Sequence, residues 1–211
     1  MITISYGLTV CNEATELQNL IEYLLPRIRS IDEIVVVYDQ NRVTEDVHSV
    51  LAKYGEVSSY PFDFKQNFLE NKNYLNTKCT KDYIFQIDAD EIPSEFLVEH
   101  LPAILEQNPV DLVITPRKNL VAGLTEEHVS RWGWRVTPEG WVNWPDAQKR
   151  IYRNDRSIEW KGHQVHGMVE GYKTYATLPL EEEWSIIHNK TIERQENQNT
   201  RYNKIDSGQL K

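Results

Sequence analysis

The sequence predicts an α/β fold built on a mostly parallel sheet with helices on both faces. Segments with strand and helix periodicity alternate through the first half of the chain, and the strand segments are nearly uninterrupted apolar runs, as expected for strands buried on both faces. Acidic residues also follow two of these runs directly, Asp39 after one and Asp88 and Asp90 after the other. Ligands of such sheets bind beyond the carboxyl ends of the strands, so these acids are expected to share one crevice.

Each element of the first half has its own signal. Strands are predicted where apolar residues run together, at residues 2–10, 34–38, 57–62, 83–87 and 111–115. Helices are predicted where apolar residues recur at three- and four-residue spacing, at residues 17–28, 47–54 and from 93 onward. A more polar helix is predicted at residues 65–77. Strand and helix in repeated alternation imply parallel neighbours joined by crossover helices.

The chain changes character after residue 115, where the alternation loosens without a low-complexity linker or an internal repeat. We therefore predict an extension of the same domain. All six tryptophans fall in this part: Trp132, Trp134, Trp141, Trp144, Trp160 and Trp184. Most are expected to pack in a core short of aliphatic residues. One or two can also form walls against a ligand such as a sugar, because an indole has an apolar face and a polar edge.

Composition bounds the setting. The chain has 211 residues, 40% of them hydrophobic, enough for one core or one core with an appended lobe. It has no long apolar run and no leader pattern, so we predict an unexported, cytoplasmic protein without a transmembrane segment, in the host cytoplasm if phage-encoded. Two cysteines fit a reducing compartment. The net charge of −9 argues against broad attraction to nucleic acid, although residues 131–161 carry seven Lys or Arg and four acids and leave a local anionic contact open.

The densest functional signal is the acidic cluster after the strand at residues 83–87. Asp88 and Asp90 project to the same side of an extended segment, where unneutralised carboxylates would repel each other and raise each other's pKa. A divalent cation resolves this conflict, and carboxylate oxygens favour Mg²⁺ or Mn²⁺, which often also bind substrate phosphates. Alternatively, Asp90, Glu91 and Pro93 open the next helix, since acids and proline suit a first turn. The cluster predicts a metal-bridged phosphate substrate.

Five short motifs occur in order along the chain. The strongest is Phe-Gln-Ile-Asp-Ala-Asp-Glu at residues 85–91. The others are Thr-Val-Cys-Asn-Glu at 9–13, Glu-Asn-Lys-Asn at 70–73, Pro-Asp-Ala-Gln-Lys-Arg-Ile-Tyr-Arg at 145–153 and Trp-Ser-Ile-Ile-His at 184–188. Together they resemble the inverting glycosyltransferases of family 2, and most closely the short bacterial and phage members similar to lipopolysaccharide-core transferases. The resemblance covers residues 4–188, with Lys72 where the family has arginine.

The resemblance implies a GT-A (Rossmann-like) fold with a C-terminal acceptor-side extension. It implies a single domain over residues 1–211, in which residues 1–116 bind the nucleotide sugar and residues 117–211 face the acceptor. The implied reaction is metal-dependent, inverting transfer of a hexosyl or pentosyl unit from a nucleotide-diphospho-sugar, with UDP as the expected carrier. The acceptor would be a hydroxyl of a saccharide, a lipid-linked sugar or a modified phage DNA base. The implied cofactor is Mn²⁺ or Mg²⁺ at the Asp-x-Asp (DXD) motif.

The resemblance also assigns roles to individual residues. Contacts to the nucleoside would come from Thr9, Asn12, Glu13 and Asp39, with Asp39 accepting a hydrogen bond from the base. Contacts near the sugar or diphosphate would come from Lys72 and Asn73. Contacts at the metal would come from Asp90, from Asp88, which also approaches the ribose, and from His188. Several of these residues also suit a turn, a cap or a solvated surface.

The catalytic base is the role for which the sequence departs from the family. Inverting transfer needs a base that takes the proton of the acceptor hydroxyl. Relatives often carry a His-Glu pair where this chain has His166 and Gly167, so the acid of the pair is missing. We predict Glu170 or His166 as the base, with His163 and Asp146 as further candidates.

Two other functions stay open on the sequence. One is a non-catalytic nucleotide-sugar or carbohydrate-binding protein, the outcome if no base is suitably placed. The other is a nucleotidyltransfer enzyme, which also uses carboxylates and Mg²⁺. Such enzymes usually carry a glycine-rich, basic phosphate loop near the first strand, and residues 9–13 provide none.

Overall fold

The computed structural model describes residues 1–209, which form one large mixed sheet, a small two-stranded sheet and flanking helices. The strands are β1 (Ile4–Val10), β2 (Glu33–Asp39), β3 (Val57–Phe62), β4 (Tyr83–Asp88), β5 (Glu91–Pro93), β6 (Leu112–Ala122), β7 (Val142–Arg153), β8 (Glu159–Gly162), β9 (Gly167–Glu170), β10 (Tyr175–Thr177) and β11 (Ile186–Thr191). The helices are α1 (Ala14–Leu24), α2 (Glu45–Lys53), α3 (Phe68–Lys78), α4 (Glu95–Gln107), α5 (Glu126–Trp132) and α6 (Ile192–Asp206), with a short 3₁₀ turn at Glu182–Trp184.

The sheet order is β3-β2-β1-β4-β7-β6-β11-β5, with β10 also beside β6. Strands β1 to β4 are parallel to their neighbours within this group, and β11 and β10 are parallel to β6. Strand β7 is antiparallel to β4 and β6, and β5 is antiparallel to β11. The predicted mostly parallel α/β sheet is therefore confirmed, and β7 and β5 are the antiparallel strands.

Alternate residues of the strands feed two apolar layers, one on each face of the sheet. Along β2, Ile34 and Val36 pack into the layer formed with α1, α2 and α4, whereas Val35 and Val37 pack into the layer that contains Leu75 of α3 and the β8–β9 hairpin. This alternation is why β2 is apolar at every position. The predicted helices on both faces follow from the same pattern.

The predicted elements match in type, and most differences lie at their ends. Helix α1 stops at Leu24, just before Pro26, instead of running to residue 28. Helix α4 begins only after Ser94, whose side chain caps it, and the preceding residues pair as β5. Strand β6 continues to residue 122 and so crosses the predicted 116/117 boundary within one sheet. The division of the chain into donor and acceptor parts stays a prediction.

Gly7 sets the distance between β1 and α3. A Cβ atom at this position would lie 3.0 Å from Leu75 Cδ2, so a larger side chain would push α3 off the sheet. Because Lys72 lies on the same helix as Leu75, this close approach also fixes the position of Lys72 relative to the sheet.

We expect Gly7→Val to lower the free energy of unfolding by about 1–3 kcal/mol, because extra methyl groups overpack a filled core. The measurement is chemical denaturation. The control is Gly55→Ala, since a Cβ at residue 55 has no atom within 4 Å. Equal stability of Gly7→Val and wild type would contradict this account of the α3 position.

Candidate active site

The carboxyl ends of β1, β2 and β4 open into one crevice of about 1090 Å³. Strand register places Thr9 opposite Asp88, and the Thr9 hydroxyl donates to Asp88 Oδ1 at 3.2 Å. Asp39 closes β2 at the same edge and also lines the crevice. The expectation that Asp39, Asp88 and Asp90 share one crevice is met, because all three line it.

Glu91 is fully buried between two arginines. Its Oε1 accepts from Arg117 Nη1 at 2.9 Å and from Arg150 Nη2 at 3.0 Å, and its Oε2 accepts from the Asp88 backbone N–H at 3.1 Å. The same Arg150 Nη2 donates to Asp88 Oδ2 at 2.7 Å. One carboxylate thus ties β5 to β6 and β7 and shares a guanidinium with the end of β4.

This arrangement corrects the interpretation that the three acids need a metal to offset their charge. Arginines neutralise Asp88 and Glu91. Burial opposes ionisation of Asp88, but Arg150 and Lys72 outweigh burial and hold its pKa well below the usual range. Asp88 offers a metal only oxygens already bonded to Thr9 and Arg150. The alternative of Glu91 as a helix cap is also wrong, since Ser94 caps α4.

Of the three acids in the cluster, Asp90 is the one that faces His188, and histidine is a common metal ligand. Its Oδ2 lies 3.3 Å from His188 Nε2 and 3.6 Å from Arg194 Nη2. Burial is the largest single influence and raises the pKa of Asp90, but His188 and Arg194 together outweigh burial, so the pKa lies below its usual value. The sheet explains the meeting, because His188 on β11 stands opposite Glu91 on β5 and Asn119 on β6.

Asp90 and His188 fit a divalent cation. His188 Nδ1 lies 2.8 Å from Asn119 Oδ1, and Asn119 is oriented by donation from its Nδ2 to Asp146 at 2.9 Å. Nδ1 therefore donates to Asn119, as in many metal-ligating histidines, and Nε2 faces Asp90, where it donates to the carboxylate when protonated and would offer its lone pair to a cation that replaced that proton. Within residues 1–209 no three His, Cys, Asp or Glu side chains form a metal-binding group. A cation here would take its other ligands from substrate phosphates and water.

The end of the crevice near Asp39 and Glu13, where the resemblance predicts the nucleoside, contains more hydrogen-bonded side chains than the sequence suggested. Asp39 accepts from Arg42 Nε at 2.7 Å and from the Asn41 backbone N–H at 3.1 Å. Glu13 accepts from the backbone N–H groups of Cys11 and Asn12 at 2.8 and 3.0 Å and so shapes the turn after β1. The predicted nucleoside residues Thr9, Asn12, Glu13 and Asp39 all line the crevice.

Helix α3 brings Lys72 to the crevice but turns Asn73 away from it. Lys72 Nζ lies 4.0 Å from the centre of the Trp160 ring, and burial lowers its pKa to about 8. Asn73 clamps the backbone of Trp160, donating to its carbonyl at 2.9 Å and accepting from its N–H at 2.8 Å. Asn73 does not line the crevice, so the structure gives it a role in holding β8 against α3.

Of the four candidate bases, His166 and Asp146 line the crevice, whereas Glu170 and His163 do not. Glu170 is exposed, pairs opposite Glu159 at the far end of the β8–β9 hairpin and does not line the crevice, because the strand carries it away. His163 is exposed and faces Asp206 at 3.7 Å. A Cβ at Gly167 would lie 1.9 Å from Leu69 Cδ2, so this position has no room for the family's acid without repacking.

Sequence reasoning did not single out several residues that line the crevice: Arg117, Asn119, Arg150 and Arg194. Arg150 lies inside the recognised motif at residues 145–153, which was the available signal. Arg117 and Asn119 alternate along β6, but the prediction ended that strand at residue 115. Arg194 lies on α6, a polar helix with no signal beyond its helical propensity.

The mostly parallel sheet, with helices on both faces and a polar crevice at the carboxyl ends of its strands, is the architecture of the GT-A fold. The chain belongs to glycosyl transferase family 2, because the model of that family, described as "Glycosyl transferase family 2", matches residues 5–203. The resemblance seen in the motifs is confirmed. No curated protein sequence matches the chain.

The fold is similar to solved structures of S. aureus TarS. TarS 1–349 has a TM-score of 0.60 at 13% identity, over 90% of this chain and 60% of that one. The complex of TarS 1–349 with UDP gives 0.56 and 14%, over 84% and 61%, and the complex with UDP-GlcNAc gives 0.55 and 13%, over 87% and 60%. The chain spans about three fifths of TarS 1–349. At this identity the likeness shows the fold.

We expect Glu91→Gln to lower the free energy of unfolding by about 3–5 kcal/mol, because it leaves the buried guanidiniums of Arg117 and Arg150 short of a counter-charge. Chemical denaturation measures the effect. Glu139→Gln, an exposed acid in the loop before β7, is the matched control and should match wild type. A loss below 1 kcal/mol would show that Glu91 is not the acid that joins these strands.

We expect Lys72→Met to stabilise the protein most below pH 8. The folded pKa of Lys72 is about 8 and its ordinary value is 10.5, so between these values the unfolded chain binds more protons and wild-type stability rises with pH. The gain from Lys72→Met should therefore shrink between pH 8 and pH 10.5. Chemical denaturation at both ends of this range tests it, and a gain that grows with pH contradicts it.

Proposed function

We propose that this chain is a metal-dependent, inverting glycosyltransferase that moves a sugar from a UDP-sugar to the hydroxyl of a saccharide, free or lipid-linked. The observation that carries the proposal is the convergence of Asp39, Asp88 and Asp90 on one crevice at the carboxyl ends of three strands. The fold likeness to TarS, solved with UDP and with UDP-GlcNAc, supports a UDP-sugar as donor.

The charges along the crevice suit a nucleoside diphosphate laid across the strand ends. The base would lie at Asp39, whose carboxylate accepts from Arg42, so that this pair presents a hydrogen-bond acceptor and a donor side by side. The diphosphate would lie between the Asp90 and His188 pair and Lys72, the one lysine of α3 that faces the crevice. Arg150 also lines the crevice and adds positive charge beside Asp88, and its Nε and Nη1 are buried without a hydrogen-bond partner within residues 1–209.

Asp90 and His188 would hold a Mn²⁺ or Mg²⁺ ion, which supplies positive charge to the departing diphosphate. The chain itself supplies the rest of the electrostatic environment. Lys72 above Trp160 is a second cation beside the phosphates, and in a half-buried site its charge acts more strongly than in water. Arg150 keeps Asp88 ionised for a ribose hydroxyl or the metal shell.

The acceptor side of the crevice has the surface of a saccharide site. Trp134 lines it and is held in place by packing against Trp132, with ring centres 4.6 Å apart. Asn143, Gln148 and Lys149 add polar groups to the same wall. An aromatic face with hydrogen-bonding groups beside it suits a pyranose ring. The modified DNA base is the competing acceptor, and binding to duplex DNA with a steep salt dependence would favour it.

A non-catalytic nucleotide-sugar binder is the second candidate, because Gly167 stands where relatives carry an acid. The two functions differ in donor turnover. A UDP-sugar would raise the thermal stability of a binder without being consumed. A transferase would also hydrolyse the UDP-sugar slowly, because it transfers some of the sugar to water.

We expect a panel of nucleotide sugars with Mn²⁺ to raise the melting temperature most for one UDP-sugar, because a ligand that binds only the folded state stabilises it. Differential scanning fluorimetry measures the shift, and UDP release measures turnover. Asp90→Asn should abolish turnover and the Mn²⁺-dependent part of the shift.

The matched control is Asp46→Asn, an exposed acid in the first turn of α2. It should behave as wild type. A Mn²⁺-dependent shift that survives in Asp90→Asn would contradict the metal assignment. The absence of a shift and of UDP release with any nucleotide sugar would contradict the proposed function.

A further inference from the structure

Asp146 occupies the acceptor side of the crevice in a fixed orientation. It lies on β7 opposite Arg117 on β6, lines the crevice, and leaves 26% of its side chain exposed. Four hydrogen bonds hold its carboxylate, from Arg117 Nε and Nη2 at 2.9 and 2.7 Å, from Asn119 at 2.9 Å and from Gln148 at 2.7 Å. No other acid on this side of the crevice is anchored in this way among the described residues.

A single amide separates Asp146 from the groups proposed to hold the diphosphate. Asn119 Nδ2 donates to Asp146, and Asn119 Oδ1 faces His188, whose other nitrogen faces Asp90. The anomeric carbon of the donor is bonded to the diphosphate, so the base must lie within about one sugar ring of that end. Asp146 lines the same crevice as His188 and is joined to it through Asn119 alone, which suits this condition.

The two oxygens of Asp146 are not equivalent. Oδ2 accepts all three bonds from Arg117 and Asn119, whereas Oδ1 accepts only from Gln148. A carboxylate oxygen has about two lone-pair sites, so Oδ1 has room for one further donor. Burial opposes ionisation of Asp146, but Arg117 and Asn119 together outweigh burial and keep the pKa of Asp146 below its usual value. The carboxyl group is therefore unprotonated at neutral pH.

We propose that Asp146 is the catalytic base, and this inference rests on the proposed glycosyl transfer. Asp146 Oδ1 takes the proton of the acceptor hydroxyl while the acceptor oxygen forms a bond to the anomeric carbon. The bond between that carbon and the diphosphate oxygen breaks, and UDP leaves with the electron pair. Attack opposite the leaving group inverts the anomeric centre.

His166, the other base candidate at the crevice, belongs to a different wall. It lies in the turn between β8 and β9, where its N–H donates to the His163 carbonyl, and its ring meets the edge of Tyr202 at 5.9 Å between centres. None of its hydrogen bonds joins it to Asp90, His188 or Lys72. Asp146 is therefore the better placed base.

Comparing two nucleophiles tests the assignment without knowledge of the natural acceptor. Water must lose a proton as it attacks the anomeric carbon, whereas azide is already an anion and needs no base. We expect Asp146→Asn to slow hydrolysis of UDP-GlcNAc, or of the UDP-sugar chosen by the screen, by about 100- to 10,000-fold. Formation of the glycosyl azide should stay within about threefold of wild type.

Two further measurements separate the base from a structural role. UDP affinity and melting temperature of Asp146→Asn should be close to those of wild type, because this side chain is partly exposed, the asparagine oxygen can still accept from Arg117 and Asn119, and Arg117 keeps the fully buried Glu91 as its charged partner. Glu139→Gln is the matched control and should match wild type with both nucleophiles, and His166→Asn should leave the ratio of hydrolysis to azide reaction unchanged.

The following outcomes would overturn either the assignment of Asp146 as the base or the proposed function. Wild-type hydrolysis in Asp146→Asn, or an equal fall of both reactions, overturns Asp146 as the base while the proposed function stands. A collapse of the ratio in His166→Asn assigns the base to His166 and likewise overturns the inference. Wild-type protein that consumes no UDP-sugar with either nucleophile overturns the proposed function.

Discussion

The pairing of Glu91 with Arg117 and Arg150 is the interaction on which the site depends. It joins β5, β6 and β7, which are distant in sequence, and it determines which acids of the cluster are hydrogen-bonded to arginine. Without it, Asp88, Asp90 and Glu91 would repel each other at the end of β4. With it, Asp88 and Glu91 are hydrogen-bonded to guanidinium groups, and Asp90 faces His188, with Arg194 Nη2 3.6 Å away. The contacts of Glu91 with the two arginines thereby leave three similar carboxylates with different partners.

The antiparallel strands explain how the C-terminal part of the chain is attached to the parallel strands β1 to β4. Strand β7 inserts between β4 and β6, so Arg150 reaches Asp88 from one end of the strand while Asp146 stands at the crevice four residues earlier. Strand β11 then sets His188 beside Asn119 through its parallel pairing with β6. The order of strands therefore joins residues 26 to 98 positions apart into one continuous network from Asp88 through Asp146 to Asp90.

The sequence predicted the parts of the fold that depend on local pattern. Strands β1 to β4 and their helices were identified because burial on both faces makes a strand apolar throughout, and the motif at residues 85–91 located the acids. It could not predict the partners of those acids. Arg117 and Arg150 lie on strands whose pairing with β4 and β5 is a long-range property, and no local pattern in Glu91 distinguishes a helix cap from the centre of a buried ion pair.

The structure places Glu170, one of the predicted bases, outside the crevice for a related reason. Spacing alone placed it one turn beyond His166, but residues 167–170 form β9, which carries Glu170 away from the crevice. The missing acid of the family pair is explained by packing, since Gly167 lies against Leu69 of α3. Asp146 was visible in the sequence as part of a motif. Its four anchoring bonds, which make it the stronger candidate, come from three separate side chains of β6 and β7.

The most direct measurement is a crystal structure with UDP and Mn²⁺, recorded near the manganese absorption edge. The account predicts one anomalous peak between Asp90 and His188, in contact with the diphosphate, with Glu91 still bonded to both arginines and Asp88 still bonded to Arg150. Manganese ligated by Glu91, with the arginine contacts broken, would contradict it. So would UDP bound at a site away from Asp39 and Lys72.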